Sequence, residues 1–146
     1  MLISEKTKSV ASYAFSGCTK LKTVTIEAEK IKLGQYAFSN CTSLKSISIN
    51  AAVIPAGAFN ECNALTNVTF GPDVSVIGEY AFARTAVRSF KLRDGQEQSS
   101  KLSLENGGAH ILKDDELIMV APASTSITVT TNASSISAGA FAGNTK

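Results

Sequence analysis

An Ala-Phe dipeptide recurs along this chain at nearly constant intervals. Its first four copies are spaced 23, 21 and 23 residues apart, and a fifth follows near the end. The phenylalanines of these copies are Phe15, Phe38, Phe59, Phe82 and Phe141. An aliphatic residue lies five positions before each Phe, and in the first three copies apolar residues follow it at positions six, nine and eleven. Repetition of this kind indicates one structural unit stacked many times.

The end of each repeat is typical of a short β-strand. Apolar and polar residues alternate there, which places one face of the strand inward. One such unit cannot bury that face alone, so the copies must stack with their strands in a parallel sheet and their phenylalanines in a spine on the opposite wall. A period of 21 to 23 residues lies within the range of leucine-rich repeats. We predict strands over 23–27, 46–50, 67–71 and 89–93, with a short helical or 3₁₀ turn near each Ala-Phe.

Residues 95–122 interrupt the repeat. Short apolar runs alternate there with Gly- and Asp-rich turns, which predicts an inserted antiparallel meander. The repeat resumes over 124–146 with a fifth strand near 126–130, since the apolar spacing returns. The 146 residues fit a single domain of regular coils over 1–92, the meander and the resumed repeat. Both termini cut the repeat, so we expect a fragment of a longer array, whose uncapped ends offer a route to self-association.

The unit from Tyr36 to Ile49 closely resembles the BspA-like (treponemal-type) leucine-rich repeat, whose pattern reads I-G-x-x-A-F-x-x-C-x-x-L-x-x-I-x-I. Residues 77–82 match the opening of that pattern, and the resemblance covers 1–92 and 124–146. It implies a right-handed solenoid with the parallel sheet on its concave face. It also implies a secreted or surface-anchored bacterial protein that attaches to a protein or glycan. Components of the host extracellular matrix are among the partners that the resemblance implies. It implies no catalytic residue.

Composition and motifs exclude several function classes. Fourteen cationic and 12 acidic side chains give a net charge of +2, too mild and dispersed for a nucleic-acid-binding surface. No apolar run approaches the ~20 residues of a membrane helix. No signal peptide opens the chain, so an extracellular location requires that it was removed or lies elsewhere. We find no catalytic constellation, metal cluster or cofactor motif. His110 is predicted to lie in a strand, and Asp114, Asp115 and Glu116 form a solvated turn rather than a calcium site.

Two further residue types recur with the repeat. Cysteines follow the first three phenylalanines by three residues, at Cys18, Cys41 and Cys62. Stacking in register would hold their Cβ atoms ~4.8 Å apart, beyond the 3.5 to 4.5 Å usual for a disulfide, which predicts a buried, reduced ladder. Tyrosines precede three phenylalanines by two residues, at Tyr13, Tyr36 and Tyr80. We expect them to support the core from the convex side, with sugar stacking as the alternative.

The candidate binding residues are the outward strand positions of the predicted concave face. They are Thr23, Thr25, Ser46, Ser48, Asn67, Thr69, Ser89, Lys91, Arg93 and Thr128, with Glu27, Asn50, Ser126 and Thr130 in the same rows. Their hydroxyls suit a large, flat partner, although Ser and Thr also simply fit a pleated surface. Arg88, Lys91 and Arg93 form a basic corner suited to an acidic partner, or a solvated edge. We therefore predict a non-enzymatic binding module, with a structural spacer as the alternative.

Overall fold

The computed structural model of the chain describes residues 1–28, 30–93, 102–105, 110–113, 116–122, 135–136 and 140–141. These residues form short β-strands joined by turns, and no helix occurs among them. The strands are β1 Leu2–Ile3, β2 Ser9–Val10, β3 Thr23–Ile26, β4 Lys32–Leu33, β5 Ser46–Ile49, β6 Val53–Ile54, β7 Asn67–Phe70, β8 Val76–Ile77, β9 Phe90–Leu92, β10 Ser103–Glu105, β11 His110–Lys113, β12 Glu116–Val120 and β13 Ser135–Ile136.

The largest sheet is the parallel stack predicted from the repeat. Its strand order is β1-β3-β5-β7-β9, with each strand one coil further along the chain. The register joins equivalent repeat positions, so that Thr25 faces Ser48, Ser48 faces Thr69 and Thr69 faces Lys91. The strands predicted over 23–27, 46–50, 67–71 and 89–93 are confirmed to within one residue at each end. Strand β1 adds a fifth, because Ile3 pairs with Ile26 at the N-terminal edge. The outward side of this sheet, the face predicted to be concave, is called the sheet face.

The core lies between the sheet and a spine of stacked phenylalanine rings. Inward strand residues such as Ile26, Ile49 and Phe70 are fully buried. The ring centroids from Phe15 through Phe38 and Phe59 to Phe82 are 5.2, 5.3 and 5.5 Å apart, and neighbouring rings are within 7° of parallel. The stacking of identical coils thus confirms the predicted spine, in which each ring covers the next.

A ladder of backbone hydrogen bonds joins the coils along the spine. Between the first two coils, the amides of Tyr13, Phe15 and Gly17 donate to carbonyls of the second coil at 3.1, 2.8 and 2.9 Å. Three equivalent bonds join each of the next two pairs of coils. The residues two before and two after each of the four spine phenylalanines have positive φ, including Tyr36 at 56° and Asn40 at 56°. A residue in the left-handed backbone conformation cannot continue a right-handed helix. The short helical segments that we expected near each Ala-Phe are therefore turns.

The inserted segment contains antiparallel strands in the described residues. Strand β10 pairs with β11, and β11 pairs with β12, with a register shift between Ile111 and Leu112. Ile111 and Met119 are buried and join the same hydrophobic core as the regular coils. Strand β13 pairs parallel with β12, from Glu116–Ser135 to Leu117–Ile136. The predicted strand at 126–130, like Asp114 and Asp115, lies outside the described residues.

Candidate binding surface

Two rows of small polar side chains cross the sheet face. The first row is Thr23, Ser46 and Asn67, with Ser89 next to it. The second row is Thr25, Ser48, Thr69 and Lys91. Neighbouring members of a row are separated by about one strand spacing, ~4.8 Å. The structure therefore brings together the predicted binding residues from Thr23 to Arg93, whereas Thr128 lies outside the described residues.

A third row follows the ends of the strands and includes Glu27 and Asn50. Asn50 makes structural contacts with the next coil. The Asn50 side-chain amide donates to Asp73 Oδ2 at 3.0 Å, and the Asp73 backbone amide donates to Asn50 Oδ1 at 3.3 Å. Asn50 is consequently only 6% exposed. It covers Gly71, where a Cβ atom would lie 2.1 Å from Asn50 Oδ1. Asn50 thus fastens one coil to the next instead of presenting its amide to solvent.

The C-terminal end of the sheet face is basic, as the sequence suggested. Arg88 and Lys91 are exposed, and Arg93 is half-buried. The guanidinium of Arg93 reaches back across the sheet, with Nη2 3.5 Å from Ser48 Oγ on a strand two coils away. A positive charge therefore lies over the hydroxyl rows themselves.

A basic column borders the sheet face, and the sequence analysis identified only Arg88 of it. Lys22, Lys45 and Thr66 directly precede β3, β5 and β7, Arg88 lies two residues before β9, and all four are exposed. Continuing the register of β7 with β9 back from the Val68–Phe90 pair places Arg88 opposite Thr66. Backbone bonds hold the column in register, since the Lys45 amide donates to the Lys22 carbonyl at 2.9 Å and the Thr66 amide donates to the Lys45 carbonyl at 3.1 Å. The sequence signal that could have revealed the column is the residue after the repeated Leu or Val that precedes each strand, at Leu21, Leu44, Leu65 and Val87.

The cationic side chains of this region have no carboxylate partners among the described residues. The single ion pair of the described part joins Arg84 Nη1 to Glu61 Oε1 at 2.6 Å, in the turns that follow the spine phenylalanines. Five cations, Lys22, Lys45, Arg88, Lys91 and Arg93, border or cross the sheet face. Glu27 is the one carboxylate in the described rows of the sheet face. Five cations against one carboxylate make this region more positive than the chain as a whole, whose net charge is +2.

The two buried cysteines hold their thiols in hydrogen bonds. The thiols of Cys41 and Cys62 donate to the carbonyls of Phe15 and Phe38 in the preceding coil, at 3.2 and 3.1 Å, and all three cysteines are free. The hydrogen bond with Cys41 and burial both raise the pKa of the Cys62 thiol, which keeps it protonated. Cys18 is exposed, contrary to the predicted buried ladder. The two buried thiols are those that reach the carbonyl of a preceding spine phenylalanine.

The tyrosines do not support the core as we expected. Tyr13 is 60% and Tyr80 is 51% exposed. The rings of Tyr13 and Tyr36 stack at 5.3 Å, and the Tyr36 ring lies against Gly57, where a Cβ atom would meet Tyr36 Cε1 at 2.2 Å. The left-handed backbone at these positions directs the rings to the surface, away from the phenylalanine spine. Tyr13 and Tyr36 form a stacked aromatic pair that is separate from the sheet face.

Comparison with known proteins agrees with this architecture. Residues 1–106 match the sequence pattern described as a BspA type leucine-rich repeat region, in six copies. The chain belongs to the BspA-type leucine-rich repeat family. The BspA-type match ends at residue 106, so the resumed repeat over 124–146 stays a prediction. No curated protein matches the chain.

A solved leucine-rich repeat structure supports the same fold. The chain is similar to the crystal structure of a leucine-rich repeat protein from Bacteroides ovatus ATCC 8483, with 31% identity and a TM-score of 0.57. The match covers 57% of this chain and 22% of that chain, so it spans under a quarter of the neighbour. BspA-type proteins are typically secreted or surface-located, and their repeats generally serve protein interaction or structure rather than catalysis. Within the described residues, no helix has the length and apolarity to cross a membrane.

Proposed function

We propose that this domain is an extracellular or cell-surface adhesion module that recognises a protein or glycan through the sheet face. The observation that carries the proposal is the pair of hydroxyl and amide rows from Thr23 to Thr69, bordered by cations without carboxylate partners in the described residues. Ser and Thr hydroxyls both donate and accept hydrogen bonds, so such rows fit polar groups of either kind. Host extracellular matrix is among the expected partners.

The rigidity of the scaffold supports a binding role. Strand pairing on one wall and the backbone ladder on the other fix each coil against its neighbours. The side chains of the rows are short, so ordering them against a partner costs little conformational entropy. A partner would thus meet a surface that is already organised.

The alternative is a structural spacer without a ligand of its own. The same intercoil bonds favour it, because they make a stiff stack whose coils contact only their neighbours. The two functions differ in one respect. A binder depends on the chemistry of the sheet face, whereas a spacer tolerates any surface change there.

The deciding experiment is a binding screen against immobilised extracellular-matrix proteins and a glycan array. Thr69→Glu places a carboxylate and a longer side chain in the middle of the second row. Thr19→Glu is the matched control, because Thr19 is exposed in a turn away from the sheet. Saturable binding that Thr69→Glu loses and Thr19→Glu keeps supports the proposal. Binding by both variants alike excludes the sheet face, and no binding at all favours the spacer.

A further inference from the structure

The charge on the sheet face is ordered along the direction in which the coils stack. Backbone bonds join Lys22 to Lys45 and Lys45 to Thr66 in the column. The register of β7 with β9, extended by two residues, places Arg88 next to Thr66. Because the backbones stack at one strand spacing, adjacent members of the column are ~4.8 Å apart. Beside this column run the hydroxyl rows, also with one member per coil. A linear partner that follows the stacking direction therefore meets a basic or polar group and a hydroxyl at each step.

We infer that the partner of the sheet face is an acidic polysaccharide, a glycan chain that carries sulfate or carboxylate groups. This inference rests on the proposed function, and it assigns the chemical class of the ligand. The anionic groups would lie along the column of Lys22, Lys45 and Arg88, with Lys91 and Arg93 at the far end. The sugar hydroxyls would lie over the Ser and Thr rows.

Three features favour this class over other partners. Aromatic residues supply many of the energetic hot spots of protein interfaces, and the described residues of the sheet face include none. The same lack disfavours a neutral sugar, which binds largely by stacking on aromatic rings. An extended acidic peptide repeats at ~3.3 Å per residue, out of step with the ~4.8 Å of the coils, whereas a pyranose unit spans close to one coil. Cations that lack a carboxylate partner in the described structure complement the repeated charge of an acidic glycan.

The test compares binding of the intact chain to immobilised dextran sulfate, unmodified dextran and poly-L-glutamate. The variant Lys22→Ser/Lys45→Ser removes two neighbouring charges from the column. Lys8→Ser/Lys32→Ser is the matched control, since these exposed lysines lie on another wall and are likewise joined by a backbone bond, of 3.0 Å. Thr66→Lys fills the gap in the column.

We expect binding to dextran sulfate that weakens with salt, with little binding to the other two probes. The column variant should bind dextran sulfate about tenfold more weakly, the control within about twofold of the unmodified chain, and Thr66→Lys about threefold more tightly. Equal losses in the two double variants would mean unspecific charge attraction and would overturn the inference. Poly-L-glutamate binding as tight as dextran sulfate binding would overturn it in favour of an acidic protein.

The proposed function and this inference fail in different ways. If dextran sulfate does not bind but a matrix protein does, and Thr69→Glu abolishes that contact, the sheet face is a binding site and the glycan assignment is wrong. If no matrix protein, arrayed glycan or dextran sulfate binds, both are wrong. Far-UV circular dichroism of each variant checks that the lysine substitutions leave the fold intact, as expected for exposed side chains.

Discussion

Truncating the middle of the phenylalanine spine tests whether stacking supplies the stability of this fold. Phe59 is fully buried and stacks on Phe38 and Phe82, at centroid distances of 5.3 and 5.5 Å. Removing such a ring from a packed core costs about 3 to 5 kcal/mol, including the cavity that remains. The two lost ring pairs place Phe59→Ala at the upper end of that range, about 4 to 5 kcal/mol. Domains of this size are stable by roughly 5 to 15 kcal/mol, so the loss is readily measurable.

Phe15→Ala is the matched control because the same chemical change is made at the first ring of the stack. Phe15 is half-buried and has one stacked neighbour, Phe38 at 5.2 Å. We expect it to cost about 2 kcal/mol, roughly half as much as Phe59→Ala. Urea unfolding followed by far-UV circular dichroism gives both free energies of unfolding. Equal costs at the two positions would refute the argument that each ring is stabilised by both of its neighbours.

Three further predictions concern a turn, the thiols and the first coil. Gly71→Ala should lower the free energy of unfolding by about 1 to 3 kcal/mol, since its Cβ displaces the Asn50 amide from Asp73; a neutral effect in urea unfolding would contradict this contact. Thiol titration should count one accessible cysteine, Cys18, in the folded chain and three after non-reducing unfolding; a total of one would reveal a disulfide. A protein of these 146 residues exposes an apolar groove of about 330 Å³ at the first coil, so light scattering should show self-association that Ala14→Glu reduces; a monomer at every concentration would count against it.

Sequence reasoning succeeded where one residue type repeats in every coil. The strands, the parallel order and the phenylalanine spine all follow from the Ala-Phe spacing, because stacked copies must place equivalent residues side by side. The outward rows of the candidate site follow from the same alternation, since a strand that buries Ile47 and Ile49 turns Ser46 and Ser48 to the opposite face, where they are half-buried.

What the sequence did not reveal depends on backbone angles and on contacts between coils. The residue types of Tyr-Ala-Phe do not predict the left-handed backbone conformation that directs the Tyr13 ring to the surface. The bond between Asn50 and Asp73 joins residues of adjacent coils, and it becomes visible only when their register is known. Cys18 repeats the local pattern of Cys41 but lacks the earlier coil that covers Cys41 in this chain.

The basic column shows how this architecture separates recognition from folding. The residue at the column position is exposed in each of the four coils, and Lys22 and Lys45 join the intercoil bonds through their backbones. Its side chain can therefore change without disturbing the core, while the register of the coils aligns whatever residue stands there. One variable position per repeat thus becomes a line of side chains about one strand spacing apart. A stack of such coils can acquire a charged surface for a linear partner by substitutions at a position that contributes little to its stability.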